Sequence, residues 1–174
     1  MNRRQLLHAA LGAAGFALAG RVPRAARAEA APGAGFTKLE RERSEWKQLL
    51  SAEQYGVLFA EGTERPRSSP LEREKRAGTY LCAACYLPLF SSSAKFESGT
   101  GWPSFFQPIA ANHIGTRRDF KLLLPRTEYH CARCGGHQGH VFEDGPPPTG
   151  LRYCNNGVAL RFVPEGEPLP ELRS

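Results

Sequence analysis

The chain has 174 residues, 41% of them apolar and 23% charged, which suits one globular domain with a real core and excludes fibrous and disordered classes. Its formal charge of +6 invites a nucleic-acid partner, but residues 1–28 carry Arg3, Arg4, Arg21, Arg24 and Arg27 and no acid, which leaves +1 for the remainder. A charge that near zero offers little long-range attraction to phosphate, so no nucleic-acid partner is expected.

The opening "MNRRQLLHAALGAAGFALAG" places an arginine pair ahead of an uncharged stretch from Leu6 to Ala19, followed by Ala26-Arg27-Ala28. A basic start, a short apolar run and a small-residue cleavage site are the order of an export signal. The arginine pair before Gln-Leu-Leu resembles a twin-arginine signal. The apolar run falls short of the roughly 20 residues a membrane span needs. Residues 1–28 are therefore expected to be a cleaved export signal that leaves no stable membrane anchor, and the protein is expected in the periplasm. Residues 29–36, "EAAPGAGF", read as a flexible linker, and 37–170 as a single domain.

In "LERERSEWKQLLSAEQYGVLFAEGTERP" the apolar residues Trp46, Leu49, Leu50, Tyr55, Val57, Leu58 and Phe59 predict two short helices, about 43–49 and 52–60. Ser51 with Gln54 fits a capping box between them, and Gly62 and Pro66 end the second. Beyond Gly78 short apolar or aromatic runs such as "TYLCAACYLPLF", "DFKLLLP", "TEYHCARC" and "VALRFVP" alternate with Gly and Pro. These predict an antiparallel β domain of about 100 residues behind the helices.

Four of the five cysteines form two C-x-x-C pairs, Cys82 with Cys85 and Cys131 with Cys134. Zinc takes four soft donors at tetrahedral corners, and each pair presents two thiolates from one tight turn. Four thiolates leave no open position, so one structural zinc ion per chain is expected. The 45 residues between Cys85 and Cys131 exceed the spacing of a small zinc ribbon, so the metal would pin distant parts of the β domain together. Disulfides and redox-active dithiols compete in an oxidising compartment; zinc loading in the cytoplasm before export of the folded chain favours the metal.

Cys154 stands alone, two residues after Arg152 and two before Asn156. Positive charge and hydrogen-bond donors stabilise a thiolate, so these neighbours suit a reactive cysteine, with a structural one an equal alternative on local grounds. His137 and His140, three apart and upstream of it, suit proton donation or the orientation of a substrate oxygen. Trp102, between Gly101 and Pro103, suits either the core or an aromatic pocket wall.

From about Trp46 to Pro164 the chain resembles the B-type methionine-R-sulfoxide reductase family. The matching motifs are the two C-x-x-C pairs, "SGTGWPSF", "CGGHQGHVFEDGPPPTGLRYCNN" and "LRF". The resemblance implies a mainly β fold of antiparallel sheets in a small barrel-like or tent-like domain with short N-terminal helices and a structural zinc site. It implies reduction of R-methionine sulfoxide, free or in oxidised exported proteins, with Cys154 as nucleophile and a sulfenic acid intermediate. His137 and His140 would supply the proton, Asn156 would hydrogen-bond nearby, and Arg152 would hold the thiolate. Trp102 would press on the substrate methyl group, Phe142 would line the pocket, and Asp144 would support a histidine or Arg152.

Two positions depart from the family pattern. Thr100 stands where many members place a second, resolving cysteine, so the expected reductant is a thioredoxin-like protein or a small thiol. Gln138 replaces the more usual Leu between the histidines and is expected to be inconsequential. A zinc-ribbon binding module and a C-x-x-C thiol–disulfide oxidoreductase are the competing classes. The first leaves Cys154 unexplained, and the second lacks the βαβ context such motifs occupy.

Overall fold

Ser51 ends one helix and begins the next in the manner its spacing with Gln54 predicts. The Gln54 N–H donates to Ser51 Oγ at 3.1 Å, and Ser51 N–H donates to Gln54 Oε1 at 3.2 Å. The helices are α1 (Arg43–Leu49) and α2 (Ala52–Leu58), the second two residues shorter than expected because Gly62 N–H turns back onto Gly56 O at 2.9 Å. Each is too short to stand alone in water and is held by packing. Trp46, Leu50, Val57 and Leu58 are buried, and Trp46 stacks on Phe59 with ring centres 4.8 Å apart.

The computed structural model describes residues 35–120 and 125–174. The expected export signal, 1–28, and all but the end of the expected linker lie outside the described residues. Among those described, no helix is long and apolar enough to cross a membrane.

Among the described residues nine antiparallel strands follow: β1 (Gly78–Cys82), β2 (Pro88–Ser91), β3 (Lys95–Phe96), β4 (Ser104–Phe105), β5 (Ile114–Asp119), β6 (Arg126–Cys131), β7 (His137–Phe142), β8 (Arg152–Asn155) and β9 (Leu160–Pro164). They form a three-stranded sheet, β2-β1-β9, and a six-stranded sheet, β3-β4-β8-β7-β6-β5. The core is aromatic: Phe90 of β2 stacks on Phe105 of β4 at 4.3 Å, and Tyr80, Tyr129 and Tyr153 meet this pair edge-on or tilted. Such ring pairs join the inner faces of the two sheets and add to the area they bury.

The outer edge of the six-stranded sheet, β5, carries exposed Thr116, Arg117 and Arg118. Charge on an unpaired edge discourages strand addition by another chain. The opposite face of this sheet, away from the aromatic core, is where the chemistry-bearing residues gather.

Candidate active site and metal centre

Each C-x-x-C pair sits in the turn of a hairpin, the first between β1 and β2 and the second between β6 and β7. The two turns are built alike. Tyr86 N–H donates to Cys82 O and Gly135 N–H to Cys131 O, both at 2.9 Å, while the N–H groups of Cys82 and Cys131 donate to Leu87 O and Gly136 O at the same distance. The residue after each pair takes a positive φ, Tyr86 at 64° and Gly135 at 72°, a conformation glycine adopts without the steric cost tyrosine meets.

The four sulfurs of Cys82, Cys85, Cys131 and Cys134 lie within 4.8 Å of one another. Cys82 Sγ is 3.7 Å from Cys134 Sγ and Cys85 Sγ is 3.5 Å from Cys131 Sγ. A disulfide needs about 2.05 Å, and all four cysteines are free. Sulfurs at tetrahedral corners about 2.3 Å from a zinc ion stand about 3.8 Å apart, so the donor set fits a metal. Burial pushes the Cys82 thiol well up, while hydrogen bonds from Cys131, Cys134 and Cys82 draw Cys85 down. Four thiolates this close need a cation between them. A metal here clamps a hairpin of the small sheet to a hairpin of the large one.

Register builds the second site. Arg117 pairs with Glu128, Glu128 with His140, His140 with Cys154, and Cys154 with Ser104. Residues directly opposite in antiparallel strands share a face and lie about 5 Å apart at Cβ. A single transverse row across five strands therefore carries a cation, a carboxylate, an imidazole, a thiol and a hydroxyl. Two residues along, Phe142 pairs with Arg152 and Asp119 with Arg126.

His137 would normally point to the other face, since it stands three positions before His140 and a strand alternates. A bulge corrects this. Tyr129 pairs with Gly139 but His130 with His137, which leaves Gln138 unpaired in the ladder. The two imidazole rings then lie 5.5 Å apart and both line a cavity of about 320 Å3 with Glu61, Thr63, Arg117 and Phe120.

Each imidazole has its own carboxylate. His137 Nδ1 meets Glu128 Oε1 at 2.7 Å, and the other Glu128 oxygen accepts from Arg117 Nε. Because an ionised carboxylate only accepts, Nδ1 of His137 carries the proton and Nε2 is left for the cavity. His140 Nε2 donates to Asp119 Oδ2 at 2.8 Å, and Asp119 also accepts from Arg126 at 2.7 Å. Burial pushes the His140 pKa down, opposed by Asp119. Glu128, Asp119, Arg117 and Arg126 escaped the sequence reading, since alternation along "TEYH" and "TRRD" marks a strand and says nothing of which partner lies opposite.

Cys154 is half-buried. Burial pushes its thiol up, against the Arg152 charge and hydrogen bonds from Thr100 and Arg152. Arg152 is itself held from two sides: Nε and one terminal nitrogen donate to the two Asp144 oxygens at 2.8 Å each, and its guanidinium lies 4.3 Å above the Phe142 ring. Of the two partners expected for Asp144, the structure gives Arg152. Thr100 belongs to a chain of hydroxyls, with Ser98 Oγ 2.8 Å from Thr100 Oγ1 and 2.7 Å from Ser104 Oγ.

Asn156 is buried and committed to backbone: Oδ1 accepts from Glu64 N–H at 3.0 Å and Nδ2 donates to Gln138 O at 2.9 Å. The Glu64 carboxylate in turn accepts from the N–H groups of Gly157 and Val158, at 2.6 and 2.9 Å. The Trp102 indole, half-exposed in the loop before β4, donates to Glu64 O at 3.2 Å. Trp102 and Asn156 thus grip the same residue, and neither Trp102 nor Asp144 walls the histidine cavity. Gln138, expected to be inconsequential, is completely buried and hydrogen-bonded at both ends of its amide.

The close approach of β7 to β8 depends on one glycine. A Cβ on Gly139 would stand 1.8 Å from the Cys154 carbonyl oxygen, so any side chain there displaces the strand that carries the thiol.

A β domain stapled by a four-thiolate turn pair, with one further thiol in a row of ionisable groups, defines a thiol oxidoreductase class. The SelR domain family matches residues 50–164. The chain is 53% identical over 129 residues to "Peptide methionine sulfoxide reductase MsrB" of Methanosarcina barkeri, covering 74% of this chain and 91% of that protein. Proteins of the same name from Pseudomonas putida and Caulobacter vibrioides are each 53% identical, over 73% and 78% of this chain and 96% and 84% of theirs. The chain belongs to the SelR-domain, or MsrB, family of oxidoreductases. Among solved structures, the Mis18 "Yippee-like" domain aligns over 53% of this chain and all of that domain at 17% identity and a TM-score of 0.40, too distant to carry an argument.

Proposed function

We propose that the chain reduces R-methionine sulfoxide to methionine, with Cys154 as the attacking thiol. The observation that carries this is the cross-strand row, which sets Cys154 beside His140 and, through Glu128, within the same charged array as His137. The Cys154 thiolate attacks the sulfoxide sulfur; the oxygen passes to Cys154 with one proton, and methionine leaves with the sulfur electron pair. A sulfoxide oxygen departs poorly unless protonated. His137, protonated on both nitrogens with Nδ1–H held by Glu128, delivers that proton from Nε2, whereas neutral His140, whose Nε2–H donates to Asp119, orients the new O–H by accepting it at Nδ1. Arg152 supports the thiolate, with Asp144 and Phe142 fixing the guanidinium plane.

Trp102 selects the substrate methyl group by shape, and Asn156 positions the loop against which the indole rests. Thr100 beside Cys154, with the other four cysteines gathered in the turns, leaves the sulfenic acid to an external reductant. Two thiols of a thioredoxin-like protein or a small thiol return Cys154 to its reduced state and leave as a disulfide and water. The turn cysteines hold zinc, which braces the two hairpins and takes no part in the reaction. The first 28 residues export the chain to the periplasm, where oxidised envelope proteins supply the substrate.

The test incubates metal-replete protein with dithiothreitol and a racemic capped methionine S-oxide, and follows each epimer by chiral chromatography. Loss of the R epimer alone is expected. Loss of neither, or of the S epimer, refutes the assignment.

A further inference from the structure

The residue left over from the site is Gln138. It is the extra residue of the β7 bulge, completely buried, and its amide lies on the interior side of the strand. There Nε2 donates to Cys82 Sγ at 3.4 Å, and Oε1 accepts from Asn155 Nδ2 at 3.3 Å. Asn155 is also completely buried; it accepts from Tyr129 Oη at 2.5 Å, donates to Asn156 O at 2.7 Å, and immediately follows Cys154. A primary amide buried without partners is strongly disfavoured, so an amide here is specified by its two contacts. One of them is a metal-site thiolate and the other the neighbour of the proposed nucleophile.

An N–H donated to a ligating sulfur withdraws charge from it and fixes its direction, the way outer groups tune a bound metal. We propose that Gln138 is a positioning residue that couples the four-thiolate centre to the nucleophile strand, through Cys82, its own amide and Asn155. This rests on the metal and nucleophile assignments made above. Leucine at this position fills similar space and breaks the connection. The backbone part of the link survives such a change, because Asn156 N–H and Nδ2 both donate to Gln138 O at 2.9 Å and Asn155 keeps its other two partners, so the fold is expected to hold.

The test uses the full domain loaded with 113Cd. Nuclear magnetic resonance should show scalar coupling between a Gln138 side-chain amide proton and the cadmium, and alkylation of Cys154 with iodoacetamide should move the cadmium resonance. In Gln138→Leu the movement on alkylation should vanish, and a chelator should strip the metal about tenfold faster. Gln138→Met, which keeps length and lacks the donor, should reproduce both effects, and circular dichroism confirms that the variants are folded. Absent coupling in the native chain, no movement on alkylation, or an equal movement in both variants overturns the proposal. A chain that takes up no cadmium overturns the metal assignment itself, whereas failure of the epimer assay with coupling intact overturns the reaction and leaves the metal link standing.

Discussion

In the turn pair, four sulfurs lie within 4.8 Å of one another and only Cys134 escapes full burial, whereas Cys154 stands half-buried on a sheet face among Arg152, Thr100 and His140. The first arrangement is made twice over by a local turn, with the same backbone bonds in each copy. The second is assembled from five strands that contribute one residue each to a transverse row. On the proposed function the same side chain is structural where its neighbours are other thiols, and reactive where they are charges and donors. Burial acts on both, but only at Cys154 is it opposed by a fixed positive charge.

The sharpest way to break this comparison is to remove one sulfur from each site. Cys154→Ser should lower turnover of the R-sulfoxide by about three orders of magnitude or more, with metal content and melting temperature as in the native chain. Cys131→Ser should do the reverse first: a three-thiolate site loses much of the binding free energy that is also folding free energy, so metal and melting temperature fall together. Metal analysis, thermal melts and turnover on both variants decide it. Native turnover in Cys154→Ser, or native melting in Cys131→Ser, ends the division of labour.

A smaller effect separates the two histidines. Glu128→Gln leaves His137 without the carboxylate that fixes its Nδ1–H, and should lower kcat about a hundredfold with KM little changed. Asp119→Asn should lower kcat about tenfold, since burial pushes the His140 pKa down and its imidazole, on the proposed function, only orients. Steady-state kinetics of both variants test this, and a larger loss from Asp119→Asn would make His140 the proton donor.

The two sites also differ in how far the sequence discloses them. The turn cysteines are legible because a C-x-x-C spacing already contains the geometry, and the helices because Ser51, Gln54 and the apolar spacing are local facts. Cys154, Arg152 and the histidines are legible through their motifs. What stayed hidden depends on pairing: Glu128 and Asp119 matter only because β6 lies beside β7 and β5 beside β6, and a sequence does not state its register. Gln138 is the clearest case. Its neighbours in the chain are glycine and histidine, and nothing in "GHQGH" announces a bulge that turns the amide toward Cys82, fifty-six positions away.

The smallest expected effect is the most direct probe of what opposes burial at Cys154. Burial raises the pKa of the Cys154 thiol above that of an ordinary thiol, while Arg152 lowers it and Asp144 raises it. Only the thiolate is alkylated, so the iodoacetamide rate at Cys154 in the free enzyme should climb with pH through an inflection above that of an ordinary exposed thiol. Arg152→Met deletes the positive charge, so its inflection should move further up and its rate at neutral pH should fall several-fold. Asp144→Asn deletes the opposing negative charge; its inflection should move down and its neutral-pH rate should rise, though by less, because Asp144 is 62% exposed and screened by water. Equal shifts of the same sign in the two variants would mean that the pair acts by holding the Phe142 ring in place, and that charge at Cys154 is set elsewhere.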